Sequence, residues 1–437
     1  MMSEVPLRKG WCPGALRPMP AKDGLLVRLR ISGGIVAATT MRGIAQAGRD
    51  HGSGLFELSA RGNLQIRGVR ENSLPTLIET LDGFGLVDGD AATEAVRNIL
   101  VSPLAGLDGR REAYDAAKAL EAMLAANTDL HTLPAKFGFL IADGSELSLG
   151  AIPADIRFEW TKGTQSFAIG IGGDANEAIF LGQCKGDAIA AIASRLATVF
   201  LRLGMAMVEP PRRMRELIAR CGANVIAEVA GLSLSETPRH GAVEEPCPIG
   251  LMGVHDKHCF GVGAAFGSLD ANMLGAVARA ADIFGKGEIR LTPWRALILP
   301  DVSEGRADAM RSYFTTHGYI VDREDARLAV AACGGISSCA HGTTETRSDA
   351  SALMSFARRL TKTGVALHVS GCAKGCAQQA SVPLTLIAHE GLYDLVTDQS
   401  ARDAGISDAR RLDFAAVHGI LTTLAGKDGR LSSLEKR

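Results

Sequence analysis

One stretch of this chain occurs twice. Gly54-Leu-Phe-Glu-Leu-Ser-Ala-Arg-Gly-Asn-Leu-Gln-Ile-Arg67 is echoed 233 positions later by Gly287-Glu-Ile-Arg-Leu-Thr-Pro-Trp-Arg-Ala-Leu-Ile-Leu-Pro300. The helical stretches before them match in the same register, Thr40 to Asp50 against Met273 to Ile283. Each copy is introduced by Cys-Pro and a nearby glycine: Cys12-Pro13-Gly14, then Cys247-Pro248 with Gly250. A strand–helix–strand unit this small cannot bury its own sheet, so two copies are expected to pair. The repeat therefore predicts matching βαβ halves over 22–68 and 255–301, joined in one sheet or barrel, with a ligand between them. Within the first copy, Leu25 to Ile31 alternates and puts Arg28 and Arg30 on one face, Leu29 on the other. Gly33-Gly34 ends that strand, a helix follows over roughly 39–49, and Leu55 to Arg67 forms the second strand region.

Between and after the copies lie two longer α/β stretches, roughly 97–240 and 303–430. Amphipathic helices are expected near 111–126, 187–203, 212–229, 348–361 and 408–424, with apolar strands at 137–142, 327–332 and 383–388. A chain of 437 residues is too long for one core and suggests several domains. Lys and Arg (47) nearly balance Asp and Glu (48), so charge gives no reason to expect nucleic acid or an anionic membrane as partner. No apolar run is expected to span a membrane: Asp187 to Gly204 is interrupted by Ser194, Arg195 and Arg202 and reads as a core helix. Met1 to Gly10 is polar and lacks a signal-peptide core. The expected location is cytoplasmic, where nine cysteines point to metal or redox chemistry and away from disulfides.

Four of those cysteines form two short pairs. Cys333-Gly-Gly-Ile-Ser-Ser-Cys339 and Cys372-Ala-Lys-Gly-Cys376 are separated by 32 residues that read as helix then strand. Four thiolates from two loops supply the soft ligands, one per iron, that a 4Fe–4S cluster needs. Glycines at 334, 335, 371 and 375 let the backbone close around it and aim N–H groups at sulfur. A lone buried cysteine would be explained by packing; two pairs in Gly-rich loops are not. Structural zinc favours tighter spacings.

Cys-x5-Cys followed by Gly-Cys-x3-Cys resembles the cluster signature of the siroheme-dependent sulfite and nitrite reductases. The likeness extends over most of the chain. Arg28-Leu-Arg30-Ile-Ser-Gly-Gly34 resembles that family's first-strand motif, and Leu58-Ser-Ala-Arg61-Gly-Asn-Leu-Gln-Ile its Thr-x-Arg-Gln-Asn stretch. Val96-Arg97-Asn98-Ile99 and Leu133-Pro-Ala-Lys136-Phe137 match two further elements. The resemblance implies a mixed α+β, nitrite/sulfite reductase-like fold with a pseudo-twofold repeat: two paired ferredoxin-like half-domains (1–75 and 245–303) and two larger α/β domains. The first of these (90–240) would bind the tetrapyrrole; the second (304–437) would carry the cluster on Cys333, Cys339, Cys372 and Cys376, the last bridging to siroheme iron in the reductases. It further implies that Arg28, Arg30, Arg61, Arg97 and Lys136 bind a carboxylate-rich substrate, with Arg97 and Lys136 also serving catalysis.

The departures narrow the resemblance. Gly138 stands where the reductases usually carry a second lysine, Cys-Ala-Lys-Gly-Cys replaces their Cys-Pro-Asn-x-Cys, and Gly62 replaces a glutamine. With the opening Lys9-Gly-Trp-Cys-Pro-Gly14, Ala15-Leu-Arg-Pro-Met19 and Asp23-Gly24, these features resemble the precorrin-3B synthases, a branch of the same fold. What that implies is oxidation of precorrin-3A at its C20 carbon with dioxygen and closure of a γ-lactone, in aerobic cobalamin biosynthesis. A mononuclear non-haem iron is associated with that branch. Its candidate ligands here are His255, His258 and Cys259, or His341 and His368, the last two alternatively tuning the cluster from behind its ligands. Ala168-Ile-Gly-Ile-Gly-Gly-Asp174 lacks a dinucleotide fingerprint, so electrons are expected from a separate reductase or ferredoxin. The arginines at 212–215 read as a solvated helix start or a docking face. Two other readings stand beside this one: a siroheme-dependent sulfite or nitrite reductase with an altered pocket, and a non-catalytic iron–sulfur redox protein.

Overall fold

The structure, a computed structural model, describes residues 11–236, 245–404 and 411–425. Lys9 and Gly10 of the opening motif, the Met1 to Gly10 segment and the start of the helix expected at 408–424 lie outside these residues. Helix Ala38–His51 and helix Ala271–Phe284 are the same element 233 residues apart, and so are strands Leu55–Leu58 and Glu288–Leu291. The apolar positions obey helical spacing in both: Met41, Ile44, Ala45 and Gly48 are buried in the first, Leu274, Val277, Ala278 and Ala281 in the second. The two helices pack on each other over a shared core that includes Phe56, Ile66, Phe260 and Leu299. Gly48 is required there, because a Cβ at that position would lie 2.2 Å from the Phe56 ring.

The halves differ from the simple strand–helix–strand expectation in two ways. The region 55–67 is a hairpin, Leu55–Leu58 and Leu64–Val69, because Ser59-Ala-Arg-Gly-Asn63 is turn chemistry with Gly62 at φ +65°. The halves also form two five-stranded sheets, not one, and each lends the other a strand. Ser268–Asp270 of the second copy pairs with Leu55–Leu58 of the first, and Ile35–Ala37 of the first pairs with Glu288–Leu291 of the second. This exchange covers what would otherwise be an open edge on each sheet.

Each larger domain is built on a sheet that starts parallel and ends antiparallel. The first orders Ile99–Val101, Phe139–Ala142, Ile156–Thr161, Ser166–Ile171 and Ile179–Cys184; the second orders Val330–Ala332, Leu367–Ser370, Val382–His389 and Leu392–Gln399. Helix Ile189–Met205 with its lead-in turn is long and apolar enough to cross a membrane by length and composition alone, although Ser194, Arg195 and Arg202 interrupt it. Its Ile189, Ala193, Leu196, Ala197 and Phe200 are packed in the core of the first larger domain. The helix expected over 212–229 is two, Met214–Cys221 and Ala223–Val229, broken where Gly222 takes φ +81°; that expected over 348–361 is likewise split at Leu353.

Candidate functional site

The two cysteine loops emerge side by side because their strands do. Val330–Ala332 and Leu367–Ser370 are neighbours in a parallel pairing, Val330 opposite Leu367, and both loops leave the carboxyl ends, where open α/β sheets place ligands. Cys333 follows the first strand, a short helical turn Gly335–Ser338 leads to Cys339, and Cys372 and Cys376 follow the second strand. The Gly371 N–H points at Cys333 Sγ, 3.2 Å away. Burial raises the Cys372 thiol, and it pushes Cys376 up to about 11, with Cys333, Cys372 and Cys339 adding to the effect. Cys376 is exposed, but to the interior of a cleft whose walls surround the thiol. Four thiols in two loops with an amide aimed at sulfur fit a cubane cluster. Among the described residues no three His, Cys, Asp or Glu side chains meet closely enough for a single metal ion; a four-iron box needs its thiols farther apart than one ion does.

The mononuclear-iron candidates do not converge. His255 sits in the turn of a hairpin facing Asp108 at 3.4 Å, and His258 faces Glu304 at 3.8 Å. His258 and Cys259 are successive strand residues, so they point to opposite faces, and burial pushes Cys259 up to about 11. His255, His258 and Cys259 are therefore not one site. His341 lines the cleft beside Cys339, whereas His368 is fully buried with no partner on either ring nitrogen. Burial, then the Arg295 charge, lowers His368 to about 4 from an ordinary 6.5. Between those values only the unfolded chain takes the proton, so stability falls as pH drops from 6.5 to 4, by about 3 kcal/mol in all. Urea unfolding of the metal-free chain should show this acid limb, and His368→Leu should flatten it. An unchanged limb would place the ring in contact with solvent.

Above the cysteines lies a cleft of about 1810 Å³ bounded by both half-domains and both larger domains, larger than an ordinary small-molecule pocket. Its cations come from separate elements. Arg28 and Arg30 enter from strand Gly24–Leu29 and the residue after it, Arg61 from the hairpin turn, and Lys136 from the exposed rim. Arg28 donates to Gln65, at 2.9 and 3.1 Å once that amide is oriented to accept. Arg30 is 5% exposed; its Nε reaches Asn98 at 3.4 Å, and its Nη2 has no partner. Burial lowers all three arginines from their ordinary values, helped at Arg30 by Arg28 and at Arg61 by Arg213. Like charges held together out of water, with few carboxylates to answer them, can attract and hold an anionic group.

Arg97 stands apart. Both faces of its guanidinium edge are taken by Asp88, at 2.8 Å each, and Glu121 lies at 3.4 Å; despite burial, these carboxylates raise it. Its guanidinium is already ion-paired, unlike those of Arg28, Arg30 and Arg61. Sequence reasoning also missed cations. Arg212, Arg213 and Arg215, read as a helix start, line the cleft, as do Arg67, Arg295 and Arg347. Asp155 places Arg213: its oxygens take Arg213 Nε and Nη2 at 3.0 Å each, the Met214 N–H at 2.8 Å and the Gly138 N–H at 2.9 Å. Gly138 itself has room for a side chain. A Cβ there would meet only carbonyl oxygens, at 3.7 and 3.9 Å, so its bareness enlarges the pocket and serves no backbone need.

The model of the nitrite/sulfite reductase ferredoxin-like half domain matches residues 17–83 and 253–315, and that of the nitrite and sulphite reductase 4Fe-4S domain matches 92–237. The latter stretch ends before Cys333. A precorrin-3B synthase from Sinorhizobium sp is 30% identical over 90% of this chain and 84% of its own. A ferredoxin–nitrite reductase from Synechococcus elongatus is 26% identical over 92% of this chain and 80% of its own. Among solved structures, the Mycobacterium tuberculosis NirA protein superimposes with a TM-score of 0.72 at 20% identity, covering 90% of this chain and 79% of that one.

Proposed function

This chain belongs to the nitrite and sulfite reductase family, and from that membership we propose that it is an iron–sulfur oxygenase of the precorrin-3B synthase type. The observation that carries the reading is a large cleft over the four cysteines, widened at Gly138, into which Arg28, Arg30 and Arg61 bring guanidiniums with no ion-paired carboxylate among the described residues. Precorrin-3A is a tetrapyrrole fringed with acetates and propionates. Arg28, Arg30 and Arg61 would bind these by charge-assisted, often bidentate hydrogen bonds, with Lys136 at the rim. Held on several carboxylates at once, the macrocycle is oriented with its C20 edge fixed and water displaced from the apolar walls. Cys333, Cys339, Cys372 and Cys376 would hold the 4Fe–4S cluster, which when bound passes electrons singly from a separate donor. The balance is one dioxygen, two electrons and two protons per substrate: one oxygen enters at C20, the other leaves as water, and the ring A acetate closes the lactone.

One observation favours the second reading, a siroheme-dependent sulfite or nitrite reductase. Asp155 brings the Arg213 guanidinium to the Gly138 backbone, so the pocket is less depleted of cations than the missing lysine suggests. The two are separated by anaerobic purification followed by turnover under labelled dioxygen. We expect a broad iron–sulfur absorbance without strong tetrapyrrole bands, and one labelled oxygen in the hydroxylated product. Tightly bound siroheme with sulfite- or nitrite-dependent electron uptake would overturn the proposal in favour of the reductase.

A further inference from the structure

The two cysteine loops belong to one domain, but each is gripped from outside by a different copy of the repeat. Arg67, at the end of the first copy's hairpin, donates Nη2 to the Ser338 carbonyl at 2.9 Å, one residue before Cys339. Arg295, in the second copy's hairpin turn, donates to the Ala377 carbonyl, one residue after Cys376. Neither contact is incidental to an exposed side chain. Arg67 is 8% exposed and clamped by Asp23 at 2.9 and 2.7 Å and by Glu57 at 3.4 Å. Glu57 in turn takes Arg347, which reaches Ser268 of the exchanged strand at 3.2 Å. Burial raises Glu57, but the two arginines more than offset it and hold the carboxyl below its ordinary range. Arg295 occupies a left-handed backbone position, φ +55°, where the first copy has Gly62 at φ +65°. Glycine is conformationally easier at such a position, and the arginine found there carries the contact to the second cysteine loop.

We infer that Arg67 and Arg295 are positioning residues, one from each repeat, that set the gap between the two cluster-binding loops. Each fixes a main-chain carbonyl next to the second cysteine of its loop, so the half-domains act as two jaws on the cluster. The duplication then has a use beyond walling the cleft: sequence divergence after it gave each copy its own arginine for its own loop. This rests on the four cysteines holding a cluster.

The test uses full-length protein, isolated or reconstituted anaerobically, as Arg67→Met, Arg295→Met, Arg67→Lys and Arg295→Gln. Iron and sulfide per chain, the reduced-state paramagnetic spectrum, the midpoint potential and the rate of iron release to a chelator are measured. Loss of the single charge-assisted hydrogen bond to the cysteine loop predicts roughly tenfold faster iron release in each Met variant, with a changed spectrum. Arg67→Lys keeps the charge but not the fork that spans Asp23 and Ser338, so its release rate should fall between. If a Met variant does not fold, the Lys and Gln variants decide. Parent-like release and parent-like spectra in the variants that fold overturn the inference. Absence of iron and sulfide from the parent protein sinks the cluster assignment itself, and the inference with it.

Discussion

Cys372→Ser protein should lose most of its iron and labile sulfide, while Cys184→Ser and Cys221→Ser protein should keep both. The contrast follows from where the sulfurs sit. Cys372 is on the loop that meets Cys333, whose thiol receives the Gly371 N–H at 3.2 Å, and it lies in the electrostatic reach of both Cys333 and Cys339. A serine hydroxyl is a hard, weakly acidic donor and a poor substitute for thiolate on cluster iron. Cys184 ends a strand in the other larger domain, and burial pushes it up to about 11, as expected of an inert thiol. Cys221 ends a helix and hydrogen-bonds the Leu217 carbonyl. Iron and sulfide assays with low-temperature paramagnetic spectra read the outcome. A full 4Fe–4S signal in Cys372→Ser protein would remove that residue from the ligand set.

The repeat was legible because local signals agreed with one another. Hydrophobic spacing in the two helices and the flanking apolar stretches recur at one offset, and the strands and helices recur there too, with Phe266-Gly267 standing where the first copy has Gly33-Gly34. The pairing of cysteine loops was legible for a similar reason: short spacing plus glycine is a local pattern. What escaped is what depends on distant partners. A strand of three residues such as Ser268–Asp270 carries too little pattern to reveal that it pairs with the other copy. Arg97 matched a motif, but Asp88 and Glu121, which occupy it, are identified only by the fold. Arg213 read as a helix start because nothing local says that Asp155, 58 residues away, holds it in the cleft.

The repeat also conceals why Arg28, Arg30 and Arg61 have no cationic counterparts in the second copy. The second-copy counterparts of Arg28, Arg30 and Arg61 are Gly261, Gly263 and Trp294. A Cβ on Gly261 would lie 1.8 Å from the Pro248 carbonyl oxygen, so backbone fills the space that arginine uses in the first copy. The two halves share a scaffold and not a site.

That asymmetry sharpens the test of substrate binding. Arg61 has no carboxylate partner among the described residues; Asp155 attracts it and Arg213 repels it. A substrate carboxylate would therefore gain a cation already stripped of water, worth about 1.5–3 kcal/mol for a charge-assisted hydrogen bond. Arg61→Ala should weaken precorrin-3A binding about tenfold or more, measured by anaerobic absorbance titration, and leave the cluster spectrum unchanged. Arg97→Ala should behave differently. It strands Asp88 and Glu121, 12% and 13% exposed, without their cation, so its main cost should fall on stability, read in a denaturant titration. Equal affinity losses with equal stability losses in the two variants would mean that Arg61, like Arg97, serves the wall. A large affinity loss confined to Arg61 would identify the free guanidinium as the one that meets the ligand.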